Sequence, residues 1–427
     1  MFPKLGRRRS TALPRFIVNM NEQTLSSINW TGRFASRVAR MRRSTVRELL
    51  KVTRQPGMIS FALGLPPAGL FPVAETRRAA QAVLDAHGGQ ALQYSETEGL
   101  PELRDWIAAR YSQPGMSFTR ANVLVTSGSQ QALDLIGRVF LEEGDAVLAE
   151  NPTYLALLGA WRPYGVDFLA APCDDEGMRV SELGPLLERR PKLLYTTPNF
   201  QNPQGTTLSH SRREELVELT ARYDSGIVED DPYGELRYEG EPRSGLFALD
   251  AIAAERSGRR PNVIHTGTFS KVLAPGLRIG WVIGPEEVVD KLVVAKQAAD
   301  LHTGTFSQYL VCELLRDGVL ERHLPRLREV CRERRDAMLA ALHRYFPSDA
   351  RWTKPEGGMF LMVTLAPDVD TTALLPQALA RGVAFAPGAD FHVGGDGRNT
   401  MRLNFSNCAP EQIEEGVRRI GKVLPCA

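Results

Sequence analysis

A lysine stands between two apolar runs in the segment His265-Thr-Gly-Thr-Phe-Ser-Lys-Val-Leu-Ala-Pro-Gly-Leu-Arg-Ile-Gly-Trp281. Val263 to His265 reads as a strand entering a loop, and Ile279 to Ile283 is apolar again, so Lys271 is held between buried segments. An ammonium in such surroundings has its charged form disfavoured, which lowers its pKa and makes the amine a nucleophile toward carbonyls. Thr268, Ser270 and Arg278 beside it are residue types that ligate a phosphate. The same anion fits Ser127-Gly-Ser-Gln-Gln131, which lies between a strand and a helix. Free backbone N–H groups and the positive end of the helix dipole point outward there, with Ser129 and Gln130 as contacts. Taken singly, a surface lysine in a Gly/Pro-rich loop and an ordinary capped helix explain these segments better.

Further along, Glu150-Asn-Pro-Thr-Tyr154 ends a strand, which puts Tyr154 at the carboxyl edge of a sheet. Its ring can stack there on a flat aromatic ligand, or it is a core tyrosine. In Ile227-Val-Glu-Asp-Asp-Pro-Tyr233, adjacent carboxylates follow an apolar strand, a costly arrangement unless a positive partner such as a ring N–H⁺ meets them. Arg402, at the end of the late strand in Met401-Arg-Leu-Asn-Phe-Ser406, can fork onto a carboxylate with two parallel bonds or serve a structural ion pair. Gly64 in Ile59-Ser-Phe-Ala-Leu-Gly-Leu-Pro-Pro67 leaves room for backbone to approach a ligand.

The elements that must position these groups alternate. Strands are expected at 123–126, 146–149, 193–196, 227–229, 263–266 and 280–283, and helices at 130–141, 154–164 and 209–223. This order argues for a mostly parallel sheet covered by helices on both faces, an α/β fold. Helices are also expected at 75–87, 286–299 and 319–345. A last part, with strands at 358–365 and 400–404 and helices at 371–381 and 410–424, has the form of a smaller α+β domain. Residues 26–51 are basic with apolar residues at helical spacing, which suggests an arm or helix packed on the main body.

At 427 residues the chain has room for two or three domains, and a formal charge of +2 gives no electrostatic case for nucleic acid or membrane. Cys173, Cys312, Cys331, Cys408 and Cys426 are scattered, which argues against a disulfide framework or zinc site and for a reducing, cytoplasmic setting. Residues 1–21 are basic without an acid, consistent with a flexible tail, a transit peptide or a start placed before Met20.

The pattern S-K-x-x-x-P-G-x-R-x-G-W from Ser270 resembles the Schiff-base lysine segment of fold-type I pyridoxal-phosphate enzymes, the class I/II aminotransferases. Asn202-Pro-x-Gly205, the acid pair with Tyr233, and Arg402 match that family's motifs in its order, over residues 44–424. The resemblance implies pyridoxal 5'-phosphate bound by Ser129, Gln130, Tyr154, Asn202, Asp230, Tyr233, Thr268, Ser270, Lys271 and Arg278, on a seven-stranded sheet. Lys271 then holds the cofactor covalently, while Asn202 and Tyr233 bond its phenolic oxygen. Asp230, three residues before Tyr233 as in the family, pairs with the ring nitrogen, with Asp231 as the alternative. Arg402, Asn202 and Gly64 fall at substrate positions.

Leu92-Gln-Tyr-Ser95 and Pro355-Glu-Gly-Gly-Met-Phe360 are closest to the 2-aminoadipate and kynurenine aminotransferase branch. There the tyrosine at Tyr94 reaches the neighbouring subunit's phosphate, implying a homodimer with shared sites, and the arginine at Arg47 meets a distal carboxylate of acidic substrates. The implied reaction moves an amino group from an acidic, aromatic or large aliphatic L-amino acid to a 2-oxo acid such as 2-oxoglutarate. The alternatives are β-elimination or decarboxylation on the same cofactor, or a regulator domain without its DNA-binding part. Leu63 departs from the family, which usually has glycine there. Residues 1–43 are expected as tail and arm, 44–315 as the cofactor domain with a pocket-lining segment at 44–72, and 316–427 as the small domain.

Overall fold

Apolar runs with no polar face can be strands only where helices cover both sides of their sheet. The runs at 123–126, 193–196 and 280–283 are buried throughout, and the chain surrounds them accordingly. The computed structural model describes residues 28–43 and 55–425. Its strands in chain order are β1 (Ile59–Ser60), β2 (Val123–Thr126), β3 (Ala146–Asn151), β4 (Asp167–Asp174), β5 (Gly177–Met178), β6 (Leu193–Thr196) and β7 (Gly226–Asp230). They continue with β8 (Val263–Thr268), β9 (Gly280–Ile283), β10 (Arg351–Trp352), β11 (Phe360–Thr364), β12 (Val383–Ala384), β13 (Ala386–Pro387) and β14 (Thr400–Asn404).

The large sheet has the order β2-β9-β8-β7-β6-β3-β4-β5. β8, β7, β6, β3 and β4 pair in parallel, β9 runs antiparallel between β2 and β8, and β5 is a two-residue antiparallel edge on β4. The expected mostly parallel sheet is therefore present, extended to eight strands by that short edge. A smaller antiparallel sheet, β10-β11-β14-β13, forms in the C-terminal region.

Side-chain alternation decides what each face of the large sheet meets. Val147, Ala149, Tyr195 and Val228 join Trp161 and Leu133 on one side, while Leu148, Leu194 and Ile227 join Leu216 and Leu246 on the other. The helices Ser129–Phe140 and Leu155–Trp161 cover the first face, and His210–Arg222 and Leu246–Ser257 the second. The C-terminal core gathers around Phe61, Leu361, Phe385, Leu403 and Ile413. It includes residues from before the large sheet, because β1 pairs in parallel with β12 and Asn404 N–H bonds Phe61 C=O at 2.8 Å.

Two local expectations are corrected. The helix expected over 154–164 is α-helical only from Leu155 to Trp161 and tightens into a 3₁₀ turn at Arg162–Tyr164, where Pro163 has no N–H to continue the ladder. The arm forms two 3₁₀ turns, Thr31–Arg33 and Ser36–Arg40, and buries none of their residues. The arm still meets the main body, where Ser36–Arg40 lies against Arg162–Tyr164 and Arg40 pairs with Glu143. Trp30, Phe34, Val38 and Met41 nevertheless stay exposed, and an amphipathic helix that does not bury its apolar face has little to stabilise it. Residues 44–51 of the same stretch, with Arg47, lie outside the described residues. Among the described residues no helix is long and apolar enough to cross a membrane.

The end of β9 lies directly under the turn between β2 and its helix. A Cβ added at Gly280 would meet Ser129 N at 2.6 Å and Gly128 C at 2.7 Å, backbone atoms that cannot swing aside. Gly280→Ala should therefore cost about 1–3 kcal/mol in urea unfolding, the range for overpacking a closed core. It should also displace the Ser127–Ser129 turn; unchanged stability would show that the turn yields freely.

Candidate active site

In an open sheet with parallel strands, the carboxyl ends form one edge, and loops leaving that edge converge. Here β2 leads to Ser129, β3 to Tyr154, β6 to Asn202, β7 ends in Asp230, and β8 leads through Thr268 to Lys271. Together with Arg402 on β14 and Gly64, these residues line one cavity of about 300 Å³, at the small end of the range for small-ligand sites.

Lys271 is desolvated within this cavity. Its Nζ donates to Gly64 C=O at 2.9 Å, and burial, with Arg402 and Arg278 adding like charge, pulls its pKa down to about 8. Asp230 faces the same space. Its two oxygens accept from Tyr195 Oη at 2.7 Å and Thr266 Oγ1 at 2.8 Å, yet burial still pushes its pKa up to about 6. Asp231 turns away, accepting from Asn199 Nδ2 at 2.8 Å and Gly234 N–H at 2.7 Å outside this cavity. Of the two acids, Asp230 is the one placed opposite Lys271. Tyr233 is buried in the wall, and desolvation raises its phenol above the ordinary value.

Arg402 is fixed from several sides. Nη1 donates to Asn202 Oδ1 at 2.7 Å and Nη2 to Ala62 C=O at 2.6 Å, while the rings of Phe360 and Phe391 lie 4.2 and 4.8 Å from the guanidinium carbon. Nε is buried with no partner among the described residues, and burial lowers the pKa to about 10. A buried guanidinium with an unused donor is a ready site for a carboxylate.

At the other end, Gly128 adopts φ +87°, ψ 159°, a region open essentially to glycine, so the N-terminus of the helix Ser129–Phe140 faces the cavity. Arg278, itself at φ +56°, donates from Nη2 to Ser127 C=O at 3.0 Å. Thr268 Oγ1 lies 2.9 Å from Ser270 Oγ and accepts from Ser270 N–H at 3.1 Å, so both hydroxyls are oriented beside the turn. Gln130 lies 3.4 Å from Tyr154 Oη and bonds Ala156 C=O.

The expected residues thus meet in one place, with two exceptions. Tyr94, expected at a neighbouring subunit's phosphate and not in its own chain's cavity, is 76 % exposed and touches His302 edge-on, and Arg47 lies outside the described residues. Leu63 does line the cavity. Sequence reasoning missed Tyr195, Thr266 and Glu150. Glu150 accepts from Thr196 Oγ1, Thr197 N–H and Gln201 Nε2 at 2.8–3.2 Å behind the Asn202 turn, and burial raises its pKa to about 7. The available signal was polar residues inside otherwise apolar strands.

A flat phosphorylated heterocycle suits this arrangement. A helix end with oriented donors lies at one side, a buried carboxylate with no cation bonded to it among the described residues lies in the wall, and a desolvated amine lines the same cavity.

Comparison with known proteins agrees. The model of the family "Aminotransferase class I and II" matches residues 56–420. Aromatic-amino-acid aminotransferase 1 of Thermococcus litoralis is 45% identical, over 92% of this chain and 94% of its own. The 2-aminoadipate transaminase of Thermus thermophilus is 44% identical, over 94% and 98%. The crystal structure of the α-aminoadipate aminotransferase of Thermus thermophilus, complexed with N-(5'-phosphopyridoxyl)-L-leucine, superposes with a TM-score of 0.86 at 42% identity, over 93% and 98% of the chains.

The raised pKa of Asp230 has a consequence for stability. The folded state holds the proton up to about pH 6 whereas the unfolded chain loses it near 3.8, so the cofactor-free protein loses stability as pH rises through that interval. Asp230→Asn should leave the stability of cofactor-free protein little changed below pH 3.8. It should raise it by roughly 3 kcal/mol above pH 7, read from urea midpoints across pH. A difference that grows toward low pH would contradict this.

Proposed function

This chain belongs to the class I and II aminotransferases and is a pyridoxal-phosphate-dependent transferase of amino groups, and from that premise we propose how its own residues divide the work. The observation that carries the reading is a buried amine, Lys271, lining one cavity with a buried carboxylate, Asp230, and a half-satisfied guanidinium, Arg402. When bound, the cofactor supplies an electron sink for negative charge developing at the substrate α-carbon.

Lys271 would hold the cofactor through Nζ and, when free, would carry the proton to and from the substrate α-carbon, a task suited to an amine whose pKa is lowered to about 8. Asp230, oriented by Tyr195 and Thr266, keeps the ring nitrogen protonated. Arg402 forks onto the substrate α-carboxylate, and its bond to Asn202 joins that grip to the side chain that, with Tyr233, bonds the phenolic oxygen. Ser129, Gln130, Thr268, Ser270 and Arg278 line the cavity where they would hold the phosphate, and Tyr154 would stack on the ring.

The amino donors we propose are 2-aminoadipate, aromatic and large aliphatic L-amino acids, with 2-oxoglutarate as acceptor. The support comes from relatives named for 2-aminoadipate and for aromatic amino acids. Arg47 would meet an acidic donor's distal carboxylate. Leu63, where the family usually has glycine, narrows the space beside Gly64 and works against the bulkiest donors.

We also propose a cytoplasmic homodimer in which Tyr94 of one subunit completes the phosphate site of the other. Leu92, Tyr94 and Leu301 are all exposed, as are Trp30 and Phe34 on the arm, more apolar surface than scattered single residues require.

Two outcomes are expected. Lys271→Ala should lose about 10³-fold or more in turnover, and borohydride reduction should no longer fix cofactor to the peptide that contains position 271. A Lys271→Ala protein that stays covalently labelled would refute the assignment. In a donor screen with 2-oxoglutarate, Leu63→Gly should raise kcat/KM for aromatic donors about tenfold while small donors stay near wild type. Equal change for all donors would remove Leu63 from the pocket's selectivity.

A further inference from the structure

Lys296 is a lysine with no exposed surface, on the helix Glu286–Gln297 and outside the cavity that holds Lys271. Burying an ammonium is expensive, so its partners say what it is for. Nζ donates to Asp300 Oδ1 at 2.6 Å and to Gln131 Oε1 at 3.0 Å. Gln131 Nε2 in turn donates to Asp300 Oδ2 at 2.7 Å, closing a ring of three side chains. Two further bonds leave the ring, and both end on one residue: Ser127 N–H donates to Gln131 Oε1 at 2.8 Å, and Ser127 Oγ donates to Asp300 Oδ2 at 3.0 Å. Ser127 C=O is taken by Arg278 Nη2. All three polar groups of Ser127 are therefore tied, and Ser127 begins the turn that presents the N-terminus of the helix Ser129–Phe140.

We propose that Lys296, Gln131 and Asp300 are positioning residues that hold the Ser127–Gly128–Ser129 turn in its phosphate-binding shape. This rests on the reading of that turn as the phosphate site. The physical reason lies in the amide of Gln131. Its oxygen must face Ser127 N–H, and an amide flipped by half a turn would set N–H against N–H. Lys296 can only donate, so it fixes the oxygen on that side, while Asp300 can only accept, so it fixes the amino group on the other. Lys296 also neutralises Asp300; without it a carboxylate bonded to Ser127 would face an incoming phosphate with like charge. Burial opposes ionisation of Asp300, but Lys296, Gln131 and Ser127 outweigh it and hold the carboxyl below its ordinary range.

The test separates grip on phosphate from general stability. Cofactor-stripped full-length protein is titrated with pyridoxal 5'-phosphate and with pyridoxal, which lacks the phosphate, for wild type, Lys296→Met and Gln131→Leu. Both variants should bind pyridoxal 5'-phosphate about tenfold or more weakly while pyridoxal affinity stays within about twofold, the size expected for a lost charge-assisted support. Variants that keep the wild-type ratio between the two ligands, whether both affinities fall or neither does, overturn the proposal. If Lys296→Met does not fold, Gln131→Leu at a half-buried position decides the matter alone. A wild type that binds both ligands equally would instead overturn the reading of the turn as a phosphate site.

Discussion

The active site depends on a carboxylate kept in a place where it is electrostatically unwelcome. Asp230 ends β7 inside the wall of the cavity, with Tyr195 and Thr266 as its hydrogen-bond donors and, among the described residues, no cation bonded to it. Neutral donors steady an anion but do not cancel its charge, so its carboxyl remains above the ordinary range. What would relieve it is a cationic N–H from a ring lying in the cavity. The same desolvation acts in the opposite sense on Lys271, whose amine is eased toward its neutral, nucleophilic form. A single physical cause, exclusion of water at one sheet edge, thus prepares both an acid that needs a cation and an amine that gives up its proton more readily than an ordinary lysine.

The topology explains how residues separated by nearly the whole chain reach that edge. Parallel strands deliver Ser129, Tyr154, Asn202, Asp230 and Lys271 from successive carboxyl ends, and no local sequence feature could gather them without the common direction of the strands. Arg402 comes from the smaller antiparallel sheet and is tied to the larger unit through Asn202 and to the early segment through Ala62. That early segment is itself a strand of the C-terminal core, through β1 and β12. The carboxylate grip is therefore assembled from three separate stretches of chain, and the two phenyl rings that flank Arg402 restrict its guanidinium plane.

Legibility in the sequence followed physical rules. Strands such as 123–126 and 193–196 were readable because each is a short, mostly apolar run, and the next helix in the chain has an apolar face. β4 was not, because Asp167-Phe-Leu-Ala-Ala-Pro-Cys-Asp174 has acids at both ends and a proline inside, tolerable only because it lies near the sheet edge with the two-residue β5 beyond it. The helix Leu246–Ser257 follows a loop rich in Gly and Pro, and its start is set partly by Glu229, which accepts from Leu246 N–H and Phe247 N–H. That bond joins residues far apart in sequence. The chemistry-bearing residues were legible as motifs, while their supports were not: Tyr195, Thr266 and Glu150 look like ordinary strand residues until their partners are known. The arm misled for the complementary reason, since its apolar spacing is real but those side chains stay exposed and the helix does not form.

Charge balance gives the last constraint on what enters the cavity. Among the described residues lining it, Lys271, Arg278 and Arg402 are basic and Asp230 is the one acid. Besides Lys271, two guanidiniums stand at separate positions, Arg278 bonded to the Ser127 carbonyl and Arg402 beside Asn202. A ligand that satisfies both must carry anionic groups at two places, with a cationic site between them for Asp230. A phosphorylated pyridine carrying an amino acid has this distribution: phosphate at one end, α-carboxylate at the other and a protonated ring nitrogen in the middle. An uncharged amine or an amino-acid ester would leave Arg402 desolvated with Nε unmet, at the full cost of a buried charge without its partner. Under the proposed function, selection for free α-amino acids would follow from Arg402 itself, before any side-chain contact is made, and the choice among them would fall to the pocket around Leu63.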